Sequence, residues 1–557
     1  MSKPQCVQCS KTFVITDNDE QFYQRISVPK PTHCSDCRAQ RRMVWRNERT
    51  LYARACDLCK KNIISIYDAT SPCTVYCNEC WHSDKWNALD YGRNIDFSKP
   101  LFEQLKELYI KVPSIYAMVA SNENSEYTNG SFYNKGSYLI FVSDHNEDSM
   151  YSYWILYCKQ SFDCLNTIKA ELCYECIGCS SCYNVQYSVD CANCNESSFL
   201  LDCKGCQNCF MSYGLRNKQH VWHNKQLTPD EYKQKLTQLQ QGSYEKIQQL
   251  KQEFEELKKK HTFKYYHGLN NENFSGDYLE RCRGSFNCFE SNELEQCNYV
   301  IFGNKSRDCH DCYVAVDQSE LCYEDTSAVA LYNVKYSYLN QHLRDAEYCN
   351  YCNHSNNLFG CSGVTKNQFC ILNKQYSEVE YHKLKAKLIE HMKQTGEYGQ
   401  YFPINLSPFA YNETVAQDQY PLTKEQVLAN GWIWKEPKDT TGKYTDFRIC
   451  DSIASVKDNI LQEVLCCKQC YRNYKILPQE LTFYRQYNIP IPRLCFNCRH
   501  LARLQQKNPR ALWQRQCMCT QTSHSHNGRC ATEFETTYSD KNPTIVYCEQ
   551  CYMKEIN

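Results

Sequence analysis

The chain has 557 residues, and its 63 Lys+Arg balance 63 Asp+Glu to a formal net charge of zero. That balance excludes a protein that grips polyanions through bulk charge, though not one with a local basic patch. Gly (18) and Pro (16) are too few for collagen-like or Gly-rich linker sequence, whereas 41 cysteines and 44 tyrosines are far above ordinary usage.

The opening residues, Met1-Ser2-Lys3-Pro4-Gln5-Cys6, lack the apolar segment of a signal peptide, and no apolar run reaches membrane-spanning length. A cytoplasmic, reducing setting is therefore expected. There, thiols at this density serve as metal ligands or small buried hydrophobes more often than as disulfides. The odd cysteine count points the same way.

Residues 1–90 read as a tandem metal-binding module. Cys6-x2-Cys9 and Cys34-x2-Cys37 are followed by Cys56-x2-Cys59 and Cys77-x2-Cys80. A C-x2-C pair brings two thiolates to one ion from a tight turn. Two pairs complete a tetrahedral shell with Zn–S near roughly 2.3 Å. Two structural zincs are expected, one on Cys6, Cys9, Cys34 and Cys37, the other on Cys56, Cys59, Cys77 and Cys80. After the second pair, Arg38, Arg41, Arg42, Arg46, Arg49 and Arg54 interleave with Trp45 and Tyr52. Arginine forks suit phosphate and aromatic faces stack on unpaired bases. Arg38, Arg42, Arg46 and Arg49 are thus candidate RNA contacts; the alternative is that they pair with acids or cover the zinc modules.

Residues 91–121 form a connector with a helix near residues 97–111. From residue 122 to 226 cysteines recur every twelve positions: 179, 191 and 203, then 182, 194 and 206. In register the stretch reads CYECIGCSSCYN, VQYSVDCANCNE, SSFLLDCKGCQN. Short repeats with small residues and Asn/Asp/Ser turns predict a β-solenoid. A coil of twelve residues and one of twenty-four fit equally. The repeat cysteines read as a column of buried thiols, as further zinc sites or as a disulfide ladder.

The array ends at Asn224-Lys225-Gln226, and Thr228-x2-Glu231 is a capping box that starts a helix. Residues 227–262 are expected to form a helical hairpin turning at Gln241-Gly242-Ser243, whose few apolar residues suit an exposed hairpin or a coiled-coil contact with a partner. A second solenoid spans 263–376. It ends alike at Asn373-Lys374-Gln375, and the Ser377-x2-Glu380 box opens a helix over 377–394. Residues 395–465 are a connector. In it, Thr423-x2-Gln426 starts a short helix and Gly431-Trp432-Ile433-Trp434 is an aromatic anchor.

Residues 466–557 repeat the first module. At a constant offset of 461, Cys467, Cys470, Cys495 and Cys498 match the first quartet. Phe483-Tyr484, Arg499, Arg503, Arg510 and Arg515 match Phe22-Tyr23, Arg38, Arg42, Arg49 and Arg54. Arg499, Arg503 and Arg510 join the candidate RNA contacts, beside Trp513. Val75-Tyr76-Cys77 recurs as Val546-Tyr547-Cys548 after a ten-residue insertion. The third zinc is expected on the matching quartet and the fourth on Cys517, Cys519, Cys548 and Cys551, with His524, His526 or Cys530 as substitutes for Cys519. Cys73, Cys158, Cys450, Cys466 and Cys530 receive no other role.

The segment Cys6-Val-Gln-Cys9-x3-Phe13, Gln21-Phe-Tyr23, Pro31-x2-Cys34-x2-Cys37-Arg38 resembles a small zinc-ribbon domain common in bacterial proteins. The chain as a whole resembles uncharacterised cysteine-rich proteins of candidate-phyla bacteria and giant viruses. The segments that carry this are residues 76–81, 407–414 and 546–552. The resemblance implies zinc and a long cysteine-rich middle, and no activity.

The fold expected is mixed and mainly β: two cysteine-rich solenoids with helical insertions, flanked by duplicated zinc-ribbon modules. No Gly-x-Ser-x-Gly, phosphate loop or His-Glu-x2-His motif occurs, and His82, His145, His310 and His354 are scattered. The expected function is a non-catalytic zinc scaffold that binds RNA, a ribonucleoprotein or a protein partner. A thiol-based enzyme is the remaining alternative.

Overall fold

A computed structural model describes residues 2–239, 241–436, 444, 445, 447–524, 526–541 and 543–556. Two parallel β-solenoids lie at its centre, and their unit is a triplet. One residue is extended and pairs with the residue twelve positions on, as Asn129 with Phe141, Phe132 with Asp144, Lys135 with Glu147 and Tyr138 with Met150. The next residue has positive φ, and the third turns inward. Tyr133, His145, Tyr157 and Lys169 mark one corner down the first array, with φ of 56°, 57°, 54° and 52°. Four triplets close the ordinary coil, so it holds twelve residues, not twenty-four; the coil that opens the second solenoid steps by eleven, pairing Gly268 with Leu279 and Glu272 with Arg283.

Left-handed backbone costs an L-residue roughly 1–2 kcal/mol. Bonds between coils offset it. The amide of each corner residue donates to the coil before, as Tyr133 to the Ala120 carbonyl, His145 to Phe132 and Tyr157 to Asp144, each at 3.0 Å.

The inward residue explains the composition. Its own N–H points into the lumen and needs an acceptor there. Small polar side chains of the preceding coil supply it. Cys158 N–H donates to Asn146 Oδ1 at 2.8 Å, Cys164 N–H to Ser152 Oγ at 2.9 Å and Cys173 N–H to Ser161 Oγ at 3.4 Å. The same side chains donate back to lumenal carbonyls. Ser161 Oγ reaches the Lys159 carbonyl at 3.0 Å, and the Cys176 thiol reaches the Val185 carbonyl at 3.2 Å. Serine, asparagine and cysteine offer both functions in little volume, which valine and leucine cannot. The lumenal cysteines of both solenoids are buried free thiols.

The second solenoid carries one longer coil. Arg307 pairs with Glu320, His310 with Tyr323 and Tyr313 with Thr326, a step of thirteen. The extra residue is taken up at Asp317 and Gln318, both at positive φ.

Each solenoid is closed as the capping boxes predict. Thr228 caps Pro229–Gln238 and Ser377 caps Glu378–Gln394. The hairpin at 227–262 is a correction. Pro229–Gln238 buries only Tyr232, but Tyr244–Lys258 lays Ile247, Leu250 and Phe254 on the first solenoid, with Phe254 5.7 Å from Phe199. Few apolar residues suffice because spacings of three and four put them on one stripe. Its counterpart Leu101–Lys111 packs on the second solenoid. The Glu397 carboxylate accepts from the Leu101 and Phe102 amides at 2.7 Å each, a negative charge at a helix start. In the connector, the Thr423/Gln426 box starts Lys424–Ala429, and Trp432 stacks on Tyr411 at 5.5 Å.

The end modules cross over. Helix Ser35–Met43 of the first module packs on the second solenoid, and helix Phe496–Leu504 of the last module packs on the first. The closing strand of each module pairs in parallel with the strand leading into the other solenoid. Val75–Tyr76 pairs with Ser114–Ile115, and Ile545–Tyr547 with Thr262–Lys264. The molecule is thus a pair of interlocked, equivalent halves. Among the described residues no helix is long and apolar enough to cross a membrane.

Candidate metal centres

Each cysteine quartet takes its first two members from a knuckle turn and the next two from the start of a short helix. In the first, Cys6 and Cys9 lie in a turn that the Ser10 amide closes onto the Cys6 carbonyl at 2.9 Å. Cys34 is the N-cap of Ser35–Met43 and Cys37 lies one turn in. Cys77, Cys495 and Cys548 hold the same place before their helices.

The sulfurs fit a tetrahedral ion. Cys9 and Cys34 are 3.7 Å apart, Cys59 and Cys77 3.7 Å, Cys470 and Cys495 3.6 Å. A tetrahedron with Zn–S near 2.3 Å requires S–S of about 3.8 Å. Backbone amides also point at the sulfurs. Cys77 N–H meets Cys56 Sγ at 3.3 Å, Cys495 N–H meets Cys467 Sγ at 3.3 Å and Cys548 N–H meets Cys517 Sγ at 3.2 Å. Such donors stabilise thiolate charge. The quartets Cys6/Cys9/Cys34/Cys37, Cys56/Cys59/Cys77/Cys80 and Cys467/Cys470/Cys495/Cys498 converge as the sequence predicts.

The fourth quartet needs correction. The converging cysteines are Cys517, Cys530, Cys548 and Cys551, so Cys530 takes the place given to Cys519. Strand register gives the reason. Ala55 pairs with Asn62 in the first copy and Gln516 with Glu533 in the last. Cys59 and Cys530 each stand three residues before the returning strand. The ten inserted residues lie inside the knuckle, between its two ligands. Cys519 belongs to a different group, with His524, His526 and Cys551. The signal was present in the sequence: counting back from the strand, rather than forward from Cys517, finds Cys530.

The seven arginines expected to meet phosphate face carboxylates instead. Arg38 and Arg42 converge on Asp311 at 2.9 and 3.4 Å, and Arg41 meets Glu324 at 2.9 Å. Their counterparts Arg499 and Arg503 converge on Asp163 at 3.1 and 2.7 Å. Arg38, Arg42, Arg499 and Arg503 are buried, and both aspartates are 0% exposed. Arg46 pairs with Glu48 at 2.6 Å and Arg49 with Asp418 at 3.6 Å. Arg510 lies 2.6 Å from Glu290, which Lys507 also contacts. Burial alone would raise the Glu290 carboxyl, but Arg510 and Lys507 overcome it and hold it at about 2. All seven therefore have internal carboxylate partners: Arg38, Arg42, Arg499, Arg503 and Arg510 clamp module to solenoid, Arg46 pairs within its own module, and Arg49 pairs with the connector.

Aromatic stacks complete each clamp. Phe22 stacks on His310 at 3.6 Å, and Phe483 on Phe162 at 4.1 Å. Burial lowers His310 to about 4, so the ring is neutral. Asp19 and Glu480 occupy matching positions beneath: Asn298 Nδ2 donates to Asp19 at 2.9 Å, and Tyr151 Oη donates to Glu480 at 2.9 Å. Of the cysteines without an expected role, Cys158 lines the first lumen and donates to the Thr167 carbonyl at 3.3 Å, Cys73 is buried, Cys466 is half-buried and Cys450 exposed.

No family model matches the chain, and no curated protein matches it. Among solved structures there is similarity to a protein designated an acetyltransferase from Desulfovibrio desulfuricans G20, at 10% identity, covering 50% of this chain and 81% of that one, with a TM-score of 0.10. So low a score carries no argument about fold or activity.

Proposed function

We propose that this protein is a zinc-stabilised, non-catalytic scaffold whose two solenoids present extended side faces to a partner. The observation that supports this most is the set of four closed cysteine quartets, three of which have sulfur spacings of 3.6–3.7 Å that match a tetrahedral zinc shell. With four sulfurs on each ion no position is left for water or substrate, so the metal acts as a cross-link. The ribbons are too small to fold on apolar burial alone. Solenoids bind through extended surfaces. On the first one, Tyr133, His145 and Tyr157 form a ladder of rings 4.8 Å apart along one corner.

A protein partner suits this reading better than RNA, because the arginines nearest the ribbons already have carboxylate partners. Elemental analysis of purified protein tests the metal: at least four zincs per chain are expected, and metal-free folded protein overturns the reading. Filter binding across a salt series tests the partner class. Tight RNA binding with a steep negative salt slope would favour nucleic acid.

A further inference from the structure

We propose that the C-terminal module holds two metal ions joined through the Cys551 thiolate. One ion sits in Cys517, Cys530, Cys548 and Cys551, the other in Cys519, His524, His526 and Cys551. This rests on the reading that the quartets hold zinc, and extends it to a site of a different kind.

The first support is the insertion. Between Cys56 and Cys59 the N-terminal knuckle has two residues, Asp57 and Leu58. The corresponding turn runs from Cys517 to Cys530, and its added length carries Cys519, His524 and His526. All three are metal-ligating types, and they do not scatter. The ligand atoms of Cys519, His524, His526 and Cys551 lie within 4.8 Å of one another. The fourth member, Cys551, comes from the closing helix Glu549–Ile556 rather than from the inserted loop.

The second support is the order around the imidazoles. Cys519 Sγ lies 3.1 Å from His524 Nδ1, and Cys551 Sγ lies 3.5 Å from His526 Nε2. The other nitrogen of His526, Nδ1, is 2.9 Å from the Gly528 carbonyl. A proton on Nδ1 makes that bond and leaves Nε2 as a lone-pair donor facing Cys551. Outer-shell carbonyls fix the tautomer of metal-bound histidines in this way. His524 is buried although it is polar.

The third support is what the loop lacks. Thr520-Gln521-Thr522-Ser523-His524, then His526-Asn527-Gly528, contains no large aliphatic residue, so a second ion is the natural staple for it. Two thiolates and two imidazoles suit zinc or another borderline metal. A shared thiolate lets each ion complete four ligands from seven residues.

Full-length protein loaded with zinc is expected to carry five ions per chain. The His524→Ala/His526→Ala double variant should carry four and keep its far-ultraviolet spectrum. Cys519→Ser should also carry four. With cobalt in place of zinc, the wild type should show ligand-field bands of a mixed sulfur–nitrogen site beside those of the all-sulfur sites, and the double histidine variant should lose only the former. Four ions in the wild type, unchanged by the histidine substitutions, would overturn the bridged pair and leave the scaffold reading standing. No bound ion would overturn both.

Discussion

The N-terminal module on the second solenoid and the C-terminal module on the first are two solutions of one docking problem. Both drive a pair of arginines one helical turn apart onto a single aspartate at a left-handed corner: Arg38 and Arg42 on Asp311, Arg499 and Arg503 on Asp163. Both stack a phenylalanine on a ring beside that corner, but the ring is His310 in one half and Phe162 in the other. The shared parts are charge pairs and the variable parts are packing. Buried pairs therefore set the register of module on solenoid, while the aromatic contact tolerates a change of chemistry.

The largest effect should come from the metal ligands. Cys34→Ser and Cys495→Ser, at matching positions, should each lose one ion and unfold the cysteine unit they belong to. Structural zinc contributes about 10–16 kcal/mol of apparent binding energy in small peptides, as much as the whole stability of a typical domain. Metal content and thermal unfolding of each variant check this, and unequal losses would break the equivalence of the halves.

Next come the aspartates. Asp311→Ala takes the shared carboxylate from Arg38 and Arg42, leaving Arg42 with Glu324 at 3.5 Å, and Asp163→Ala takes it from Arg499 and Arg503, leaving Arg499 with Glu480 at 3.5 Å; breaking a buried pair costs roughly 3–5 kcal/mol. Urea midpoints should fall by similar amounts. A neutral result in one half would show that its module docks without the clamp.

Acid should separate the halves. Glu290, bound by Arg510 and Lys507, has its carboxyl held at about 2 against an ordinary 4.5. A depressed carboxyl contributes stability that is present above its unfolded value and lost as pH falls through the folded one. About 3 kcal/mol should therefore disappear between roughly pH 4.5 and 2. Glu290→Gln should flatten that part of the profile. The counterpart of Arg510 in the first module, Arg49, meets Asp418, whose carboxyl burial raises, so that half lacks the same acid-sensitive gain. The smallest effect should be His310→Phe, which makes the second interface resemble the first. As a swap of similar shape at a neutral ring it should move stability by less than about 1.5 kcal/mol.

Much of this was legible in the chain. Cysteine spacing marked three quartets, and the offset of 461 marked the duplicated modules. The twelve-residue period pointed to the solenoids, and Thr228, Ser377 and Thr423 marked real helix starts. The triplet was harder to see. Its signature is a left-handed corner every third residue, and the bulky Tyr133, Trp154 and Phe199 at such corners hide it. The destinations of the arginines were not legible, because Arg42 and Asp311 are 269 residues apart and no local pattern joins them. Cys530 stood only as one of three substitutes for Cys519, because an insertion within a ligand pair disguises the pair.

The crossover also bears on synthesis. The first module is translated before the second solenoid, so the basic helix of the nascent chain must wait for Asp311 and Glu324 before it can dock. Contacts this distant in sequence slow folding and leave early segments exposed. The module at 466–557 meets the opposite situation: the first solenoid is already made when Arg499 and Arg503 arrive. Assembly therefore proceeds as a clasp, open at one end until residues 466–557 have been made, and a chain truncated before residue 311 would leave its own first module without a seat.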